Sequence, residues 1–214
     1  MARVTAPLLS FGGSGQIAKT QVYATWKGRP YARRYVIPSN PNTADQQATR
    51  STFSFLNSVW KFMPSTAIEA WQAYGRNSRF TDRNGFIKIN LSDLIGQADL
   101  ANFVFSPAAS GGLAAASITV TPGNDQLQIV LAAPTLPTGW SIVNATMAVL
   151  RQQDPQTGTL FTVTAAVDSS APYDQTITGL ANAQTYVVGG WFKYLKPDGS
   201  NAYGEALMTT GLTT

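Results

Sequence analysis

The sequence predicts an α+β N-terminal module, built from a β-hairpin and two or three helices, followed by an all-β sandwich. Three patterns predict this fold class. Apolar and polar residues alternate after Thr20, apolar residues recur at helical spacing after Ala44, and short strand candidates bounded by turns fill the chain beyond Pro107. At 214 residues the chain is long enough for one large domain or two ordinary ones.

The composition excludes several classes of chemistry. The chain contains no histidine and no cysteine, so catalytic pairs and metal sites that need an imidazole or a thiolate cannot form. Its carboxylates show no spaced pair of the kind that glycosidases use. We therefore expect no enzyme, no cofactor, no metal and no small-molecule substrate. No apolar run is long enough to span a membrane and no secretory signal is recognisable, so we expect no membrane partner.

The charge is divided unevenly along the chain. Residues 1–106 hold 12 Lys and Arg against 5 Asp and Glu, whereas residues 107–214 hold 3 against 6. A basic half indicates a negatively charged partner, either an acidic protein surface or nucleic acid. We predict three regions: a flexible arm at 1–19, an anchoring domain at 20–106 and a sandwich at 107–214.

The predicted arm contains the glycine-rich segment Phe11-Gly12-Gly13-Ser14-Gly15. The segment does not match a phosphate-binding loop, because no Gly-Lys-Ser/Thr follows it, and it does not match a dinucleotide fingerprint, because no strand precedes it. A flexible arm or turn is the plain interpretation. Such an arm is also able to become ordered on a neighbouring subunit.

A basic β-hairpin is predicted between Thr20 and Ile37, with its turn near Gly28. Its second strand interleaves arginine with tyrosine, a composition typical of protein interfaces and of platforms for single-stranded nucleic acid. A solvated face is the third interpretation. The residues predicted to form an interface are Trp26, Arg29, Tyr31, Arg33, Arg34, Tyr35 and, beyond the hairpin, Arg50.

Two or three helices are predicted after an extended hinge from Pro38 to Thr43. Thr43 and Gln46 have capping-box spacing at the start of a helix that runs to about Phe62. A second helix is predicted from Thr66 to Tyr74; it carries no arginine or lysine, which argues against a DNA-reading helix-turn-helix. Asn84-Gly85 is expected to form a turn before a short third helix. The residues of the first helix expected to face the core are Ala48, Thr52, Phe55, Val59 and Phe62.

The order of these motifs is characteristic. They are the glycine-rich start, the Arg/Tyr hairpin, Pro38-Ser39-Asn40-Pro41-Asn42-Thr43 with Gln46-Gln47 and Arg50, Trp60, Trp71-x-x-Tyr74, and Asn84-Gly85-Phe86-Ile87-x-x-Asn90. Over roughly residues 15–92 this series resembles a family of small virion-associated proteins of tailed bacteriophages. The family pattern includes no catalytic residue, so the resemblance implies none here.

Seven strand candidates follow a predicted linker at Ser106–Gly112. They are Ser117–Thr121, Gln126–Ala132, Thr146–Arg151, Leu160–Ala165, Gln175–Thr178, Thr185–Tyr194 and Ala202–Thr209. This number of short, turn-bounded strands predicts an immunoglobulin-like sandwich. The stretch from Leu180 to Tyr186 resembles the tyrosine corner of fibronectin type III domains, with Tyr186 as the corner residue. Trp140 and Trp191 are expected in the core.

The resemblance implies a virion structural protein, and the expected role is capsid decoration (cement). Such a protein would dock through the basic N-terminal module and project its Ig-like domain. Its expected partners are other virion proteins of the capsid or tail, and copies of itself. It would be made in the bacterial host cytoplasm and located in the virion. The alternatives are an adhesion protein of the tail or a head fibre that contacts the host surface, and a nucleic-acid-binding protein.

Overall fold

The computed structural model describes residues 2–3, 14–37, 39, 42–76, 78–108 and 111–214. Phe11 to Gly13 of the glycine-rich segment, and Pro38, Asn40 and Pro41 of the predicted hinge, lie outside the described residues. The chain divides into two compact units, Met1–Asn42 and Thr43–Thr214. The second unit contains the helices together with the sandwich, and therefore crosses the boundary predicted between residues 106 and 107.

The first unit contains a four-stranded antiparallel sheet of β1 (Ala2–Arg3), β2 (Gly15–Ile17), β3 (Gln21–Trp26) and β4 (Arg29–Arg34), in the order β1-β4-β3-β2. The predicted hairpin is β3 and β4. Its turn residues Lys27 and Gly28 have φ values of 48° and 74°, as a two-residue type I′ turn requires. The strands β1 and β2 fall within the stretch predicted to be an arm.

Three helices open the second unit: α1 (Ala44–Trp60), α2 (Ser65–Arg76) and α3 (Asp82–Leu94). Thr43 caps α1 as predicted, because its hydroxyl accepts from the Gln46 N–H at 3.4 Å. Phe62, predicted in the core, is 48% exposed; the helix ends at Trp60, so Phe62 does not continue its buried face.

The turn predicted at Asn84-Gly85 is wrong, because both residues lie inside α3. The helix begins earlier, where the Thr81 hydroxyl accepts from the Asn84 N–H at 3.4 Å. Gly85 serves close packing instead of a turn: a Cβ at this position would lie 2.9 Å from the Tyr74 ring.

Eight strands form the sandwich, in two antiparallel sheets. They are β5 (Ser117–Gly123), β6 (Gln126–Ala132), β7 (Ser141–Arg151), β8 (Val163–Asp168), β9 (Tyr173–Thr178), β10 (Thr185–Leu195), β11 (Asn201–Tyr203) and β12 (Leu207–Leu212). One sheet has the order β5-β6-β9, and the other has the order β11-β10-β7-β8 with β12 also paired to β10. The predicted strand Ala202–Thr209 is therefore two short strands alongside β10.

The strands β7 and β10 are buried on both faces. One face, which includes Val149 and Val188, packs against the alternate residues Leu127 and Ile129 of β6. The other face includes Trp191 and belongs to a cluster that the helices complete. The helix residues of this cluster are Phe55, Leu56, Val59, Ala67, Trp71, Phe86, Ile87 and Leu94. The second unit therefore has three layers: sheet, sheet and helices.

Neighbouring glycines allow the two layers to approach β10 closely. A Cβ on Gly189 would overlap the Phe105 ring on the helical side, and a Cβ on Gly190 would overlap the Leu131 side chain in the other sheet. These glycines therefore leave the space that the rings and methyl groups of both layers occupy.

The segment between α3 and the sandwich is part of the core. Leu100, Phe103 and Phe105 are fully buried, and the Ser106 hydroxyl donates to the Gly204 carbonyl at 2.7 Å. The linker prediction is thus wrong at its start, since Ser106 is buried and bonded; Ala109 and Ser110 lie outside the described residues. Within the described chain, no helix is both long and apolar enough to cross a membrane.

Candidate interaction surface

The sheet of the first unit buries none of its described side chains. Over residues 14–37 every residue is exposed or half-buried; Trp26 is 66% exposed and Ile17 is 42% exposed. A small sheet gains stability only when one of its faces is covered. This sheet therefore presents aromatic and apolar groups that a partner surface can cover.

The first unit is also purely basic. Residues 1–42 contain six Lys and Arg and no Asp or Glu, whereas residues 43–214 contain nine Lys and Arg and eleven Asp and Glu. The positive charge of the chain is thus concentrated in its first fifth, and no carboxylate within this unit neutralises it. Such a surface attracts acidic partners over distances of about a Debye length, roughly 8 Å at physiological salt.

The strand register divides the predicted interface residues between two faces. On one face Val22 lies opposite Arg33, Ala24 opposite Tyr31, and Trp26 opposite Arg29. We call the six residues Val22, Ala24, Trp26, Arg29, Tyr31 and Arg33 the Trp26 face. Opposed residues of an antiparallel pair project to the same side of the sheet, so these six side chains form one surface.

The other side of the hairpin carries a different set. We call it the Arg34 face, and its six residues are Gln21, Tyr23, Thr25, Pro30, Ala32 and Arg34. The predicted interface residues Arg33 and Arg34 therefore lie on opposite faces, because successive residues of a strand point to opposite sides. Tyr35 follows β4, and its N–H donates to the Thr20 carbonyl at 2.8 Å. Arg50 lies on the exposed side of α1, in the second unit.

The two faces differ in their chemistry. On the Trp26 face the exposed indole lies next to the Lys27 amine, which is 4.9 Å from the ring centroid, a cation–π distance. On the Arg34 face the Tyr23 hydroxyl donates to the Gln21 side-chain oxygen at 3.0 Å, so its polar group already has a partner. The Trp26 face therefore combines two arginines with a large apolar group.

The second unit contains a partly exposed ion pair that the sequence did not predict. The Lys193 amine on β10 donates to Glu69 Oε2 on α2 at 2.7 Å, and the Tyr203 hydroxyl donates to the same oxygen at 2.9 Å. The Lys193 hydrogen bond lowers the pKa of the Glu69 carboxyl and raises the pKa of Lys193. Because Glu69 and Lys193 are far apart in sequence, no local pattern could reveal the pair.

This ion pair borders a cleft of about 420 Å³, lined also by Gln72, Arg76 and Asn201. Since the Glu69 carboxylate is held by two donors, its contacts fasten α2 to the sandwich; they do not place a free base or nucleophile in the cleft. In the part of the chain that the structure describes, no cluster of three carboxylates could hold a metal ion.

The motif residues of the helical segment build the core. Trp71 Nε1 donates to the Phe105 carbonyl at 2.8 Å, and the Trp60 and Phe86 ring centroids are 5.1 Å apart. Asn90, fully buried, accepts from the Val104 N–H at 2.7 Å and donates to the Val104 carbonyl at 3.2 Å. These residues are therefore fold determinants and not surface groups.

The tyrosine corner is confirmed. The Ala181 N–H donates to the Tyr186 hydroxyl oxygen at 2.8 Å, and Tyr186 and Leu180 are both buried. Trp191 is fully buried as predicted, and Trp140 packs half-buried against the core between the sheets. Two antiparallel sheets joined in this way, with this corner, define an Ig-like sandwich of the fibronectin type III kind, here backed by helices.

Comparisons with known proteins extend only to the sandwich. No protein-family model matches the chain, and no curated protein matches it significantly. The FN3 domain of human collagen XX is similar at 16% identity, with a TM-score of 0.36, over 50% of this chain and 98% of that chain. Domains d3–d4 of the rat CD45 extracellular region are similar at 15% identity, with a TM-score of 0.36, over 50% and 52%. Scores this low carry no argument, so the fold assignment rests on the sheet order and the corner.

Proposed function

We propose that this protein is a non-enzymatic structural component of a bacteriophage virion, most specifically a capsid decoration protein. Its basic N-terminal sheet docks on another virion protein, and its helix-backed sandwich is the body that it displays. One observation carries the proposal: the sheet of residues 14–37 buries none of its side chains although it contains tryptophan, tyrosine, isoleucine and valine.

The body needs no further partner for its core. Every residue of both buried clusters lies within Thr43–Thr214, and the two faces of β7 and β10 are covered from within that unit. The first unit has no such cluster among its described residues. This difference supports a docking role for the first unit, because a partner would supply the buried face that the sheet lacks.

The position on a virion is supported by the motif series from the hairpin to Asn90, which resembles virion-associated phage proteins. Structural proteins of a particle act in many copies, so that modest contacts become avid ones. A body with a small net charge and a strongly basic docking unit suits this role. The alternative role is that of an adhesion protein of the tail or a head fibre. Such a protein would dock through the same unit, in fewer copies, and its sandwich loops would contact the host.

Counting the protein in purified phage particles tests the proposal. Quantitative mass spectrometry of particles from the phage that encodes this chain should find it at a copy number comparable to that of the capsid protein. The chain without residues 1–42 should keep its thermal transition but be missing from the particles. Absence of the full chain from particles, or equal incorporation of both forms, would contradict the proposal.

A second candidate function is binding of single-stranded nucleic acid. It is favoured by the juxtaposition of Trp26 and Tyr31 with Arg29 and Arg33 on one face, since base stacking on aromatic rings beside cations is the usual mode of such binding. This candidate requires that single-stranded DNA compete for the same face, with an affinity that falls steeply as salt rises.

A further inference from the structure

We infer that the Trp26 face alone is the docking face of the first unit, and that its partner is an acidic protein surface with carboxylates around an apolar recess. The inference rests on the proposed function and specifies its contact. The opposite Arg34 face then faces solvent. The argument uses the register of the hairpin, the exposure of its side chains and the charge of the unit.

On the Trp26 face the register places the side chains in two adjacent rows, one from each strand. The β3 row is apolar and runs through Val22 and Ala24 to Trp26; the β4 row alternates Arg29, Tyr31 and Arg33. Directly opposed residues place their Cβ atoms about 4.5–5.5 Å apart. With about 3.4 Å per residue, Arg29 and Arg33 are roughly 13–14 Å apart along the strand. The face therefore fits an apolar recess flanked by two carboxylates at about that spacing.

The anchoring group of this face is Trp26. It is 66% exposed, and the neighbouring Ala24 is small, so the indole can enter a recess without a bulky neighbour on its own strand. Tryptophan, tyrosine and arginine are the residues that most often dominate binding energy at protein interfaces. The side of the sheet that carries the Arg34 face has one arginine of the hairpin and the exposed Ile17 opposite Gln21, but no strongly exposed aromatic ring, because Tyr23 is half-buried and hydrogen-bonded to Gln21.

The charge selects the chemistry of the partner. Since the unit has six basic residues and no acidic one, two copies of this face repel each other, and an acidic surface is the complement. The small number of exposed aromatic rings favours a protein partner over nucleic acid. Platforms for single strands stack successive bases on several rings, whereas Tyr31 is half-buried and Trp26 is the one strongly exposed ring on this face.

The adjacent arginines provide a matched test. Arg33→Ala and Arg34→Ala remove the same charge from neighbouring exposed positions, but from opposite faces. Purified full-length variants would be titrated by co-sedimentation onto particles from a phage that lacks the gene. Arg33→Ala and Trp26→Ala should each weaken binding by about tenfold or more, as interface anchors do, and Arg34→Ala by less than about twofold. Circular dichroism and thermal melting should be unchanged in all three.

Each other outcome has a definite meaning. Equal losses for Arg33→Ala and Arg34→Ala, or no loss for either Arg33→Ala or Trp26→Ala, overturn the assignment of the face. In that case a full loss on deletion of residues 1–42 leaves the docking function intact. If single-stranded DNA displaces the protein from the particles at physiological salt, the assignment of an acidic protein partner is overturned. If the unaltered chain does not bind the particles, the proposed function itself fails.

Discussion

Tyr186 shows how one side chain fixes a corner of the sandwich. It is the second residue of the inner strand β10, it is buried, and its hydroxyl oxygen accepts the Ala181 N–H at 2.8 Å. The corner was recognisable in the sequence because Leu180 and Tyr186 belong to one short stretch. Because the residues of the corner are close together in the chain, its hydrogen bond could be predicted without knowing the rest of the fold.

Replacing Tyr186 by Phe should lower the free energy of unfolding by about 0.5–1.5 kcal/mol, because the Ala181 N–H loses its hydrogen-bond acceptor. Urea denaturation followed by fluorescence measures the change. Tyr173→Phe is the control: its hydroxyl makes no hydrogen bond within the described residues, so the loss should be much smaller. Equal losses in the two variants would show that the Ala181 bond does not stabilise the corner.

The neighbouring residues Arg33 and Arg34 show how the position in a sheet distinguishes two similar residues. Both are exposed arginines of one strand, and their residue type and exposure are the same. The pairing of β4 with β3 places them on opposite faces, because side chains alternate along a strand. This alternation was visible in the sequence. The register adds that Trp26 of β3 lies opposite Arg29, on the same face as Arg33, which makes the two faces different.

At the scale of elements, α3 is tied to the segment that follows it through Asn90. This side chain is fully buried, and it bonds both the N–H and the carbonyl of Val104 as well as the Phe86 carbonyl. It thereby holds the segment that carries Phe103 and Phe105 into the core. The sequence marked Asn90 as a motif residue, but its partner lies in a stretch without regular structure, which no periodicity predicts.

Asn90→Ala should lower the free energy of unfolding by about 1–3 kcal/mol, because it removes the hydrogen bonds of a buried side chain to the half-buried backbone of Val104. Chemical denaturation measures the effect. Asn84→Ala in the first turn of the same helix is the control, since Asn84 is exposed, and it should change stability by less than about 0.5 kcal/mol. A loss for Asn90→Ala as small as that for Asn84→Ala would contradict this role.

The strands β6, β7 and β10 differ in a way that the sequence already contains. In β6 the buried residues Leu127, Ile129 and Leu131 alternate with exposed ones, whereas the middle of β7, from Ala145 to Leu150, is buried without interruption. A nearly continuous apolar run, interrupted here only by Thr146, is typical of a strand covered on both faces. This run indicates that a further layer covers the second face of β7. Nothing in the sequence indicates that the helices form that layer.

For the whole molecule, the helices and the sandwich form one unit because they share a core. Trp191 of β10 lies in the same buried cluster as Phe55, Trp71 and Phe86 of the three helices. The Lys193–Glu69 ion pair joins the same layers at the edge of the core. Separating the layers would expose the apolar face of β7 and β10 to water, at a cost of about 25 cal/mol per Å².

We expect the second unit to unfold as a whole. A fragment of residues 43–214 should show one cooperative thermal transition, as a shared core requires. A fragment of residues 107–214, which lacks the helices, should bind a hydrophobic dye and melt at a lower temperature or without a cooperative transition. Differential scanning calorimetry and dye fluorescence measure both. Equal melting temperatures for the two fragments would show that the sandwich is stable without its helical layer.

The sequence by itself determined the kinds of element, the hairpin and its turn, the Thr43 cap, the tyrosine corner and the basic character of the first unit. These depend on residues close together in the chain. Only the tertiary structure decided which elements share a core and which carboxylate pairs with Lys193. Those depend on contacts between distant residues, such as Phe105 against Gly189, and packing of that kind leaves no periodic signal in the chain.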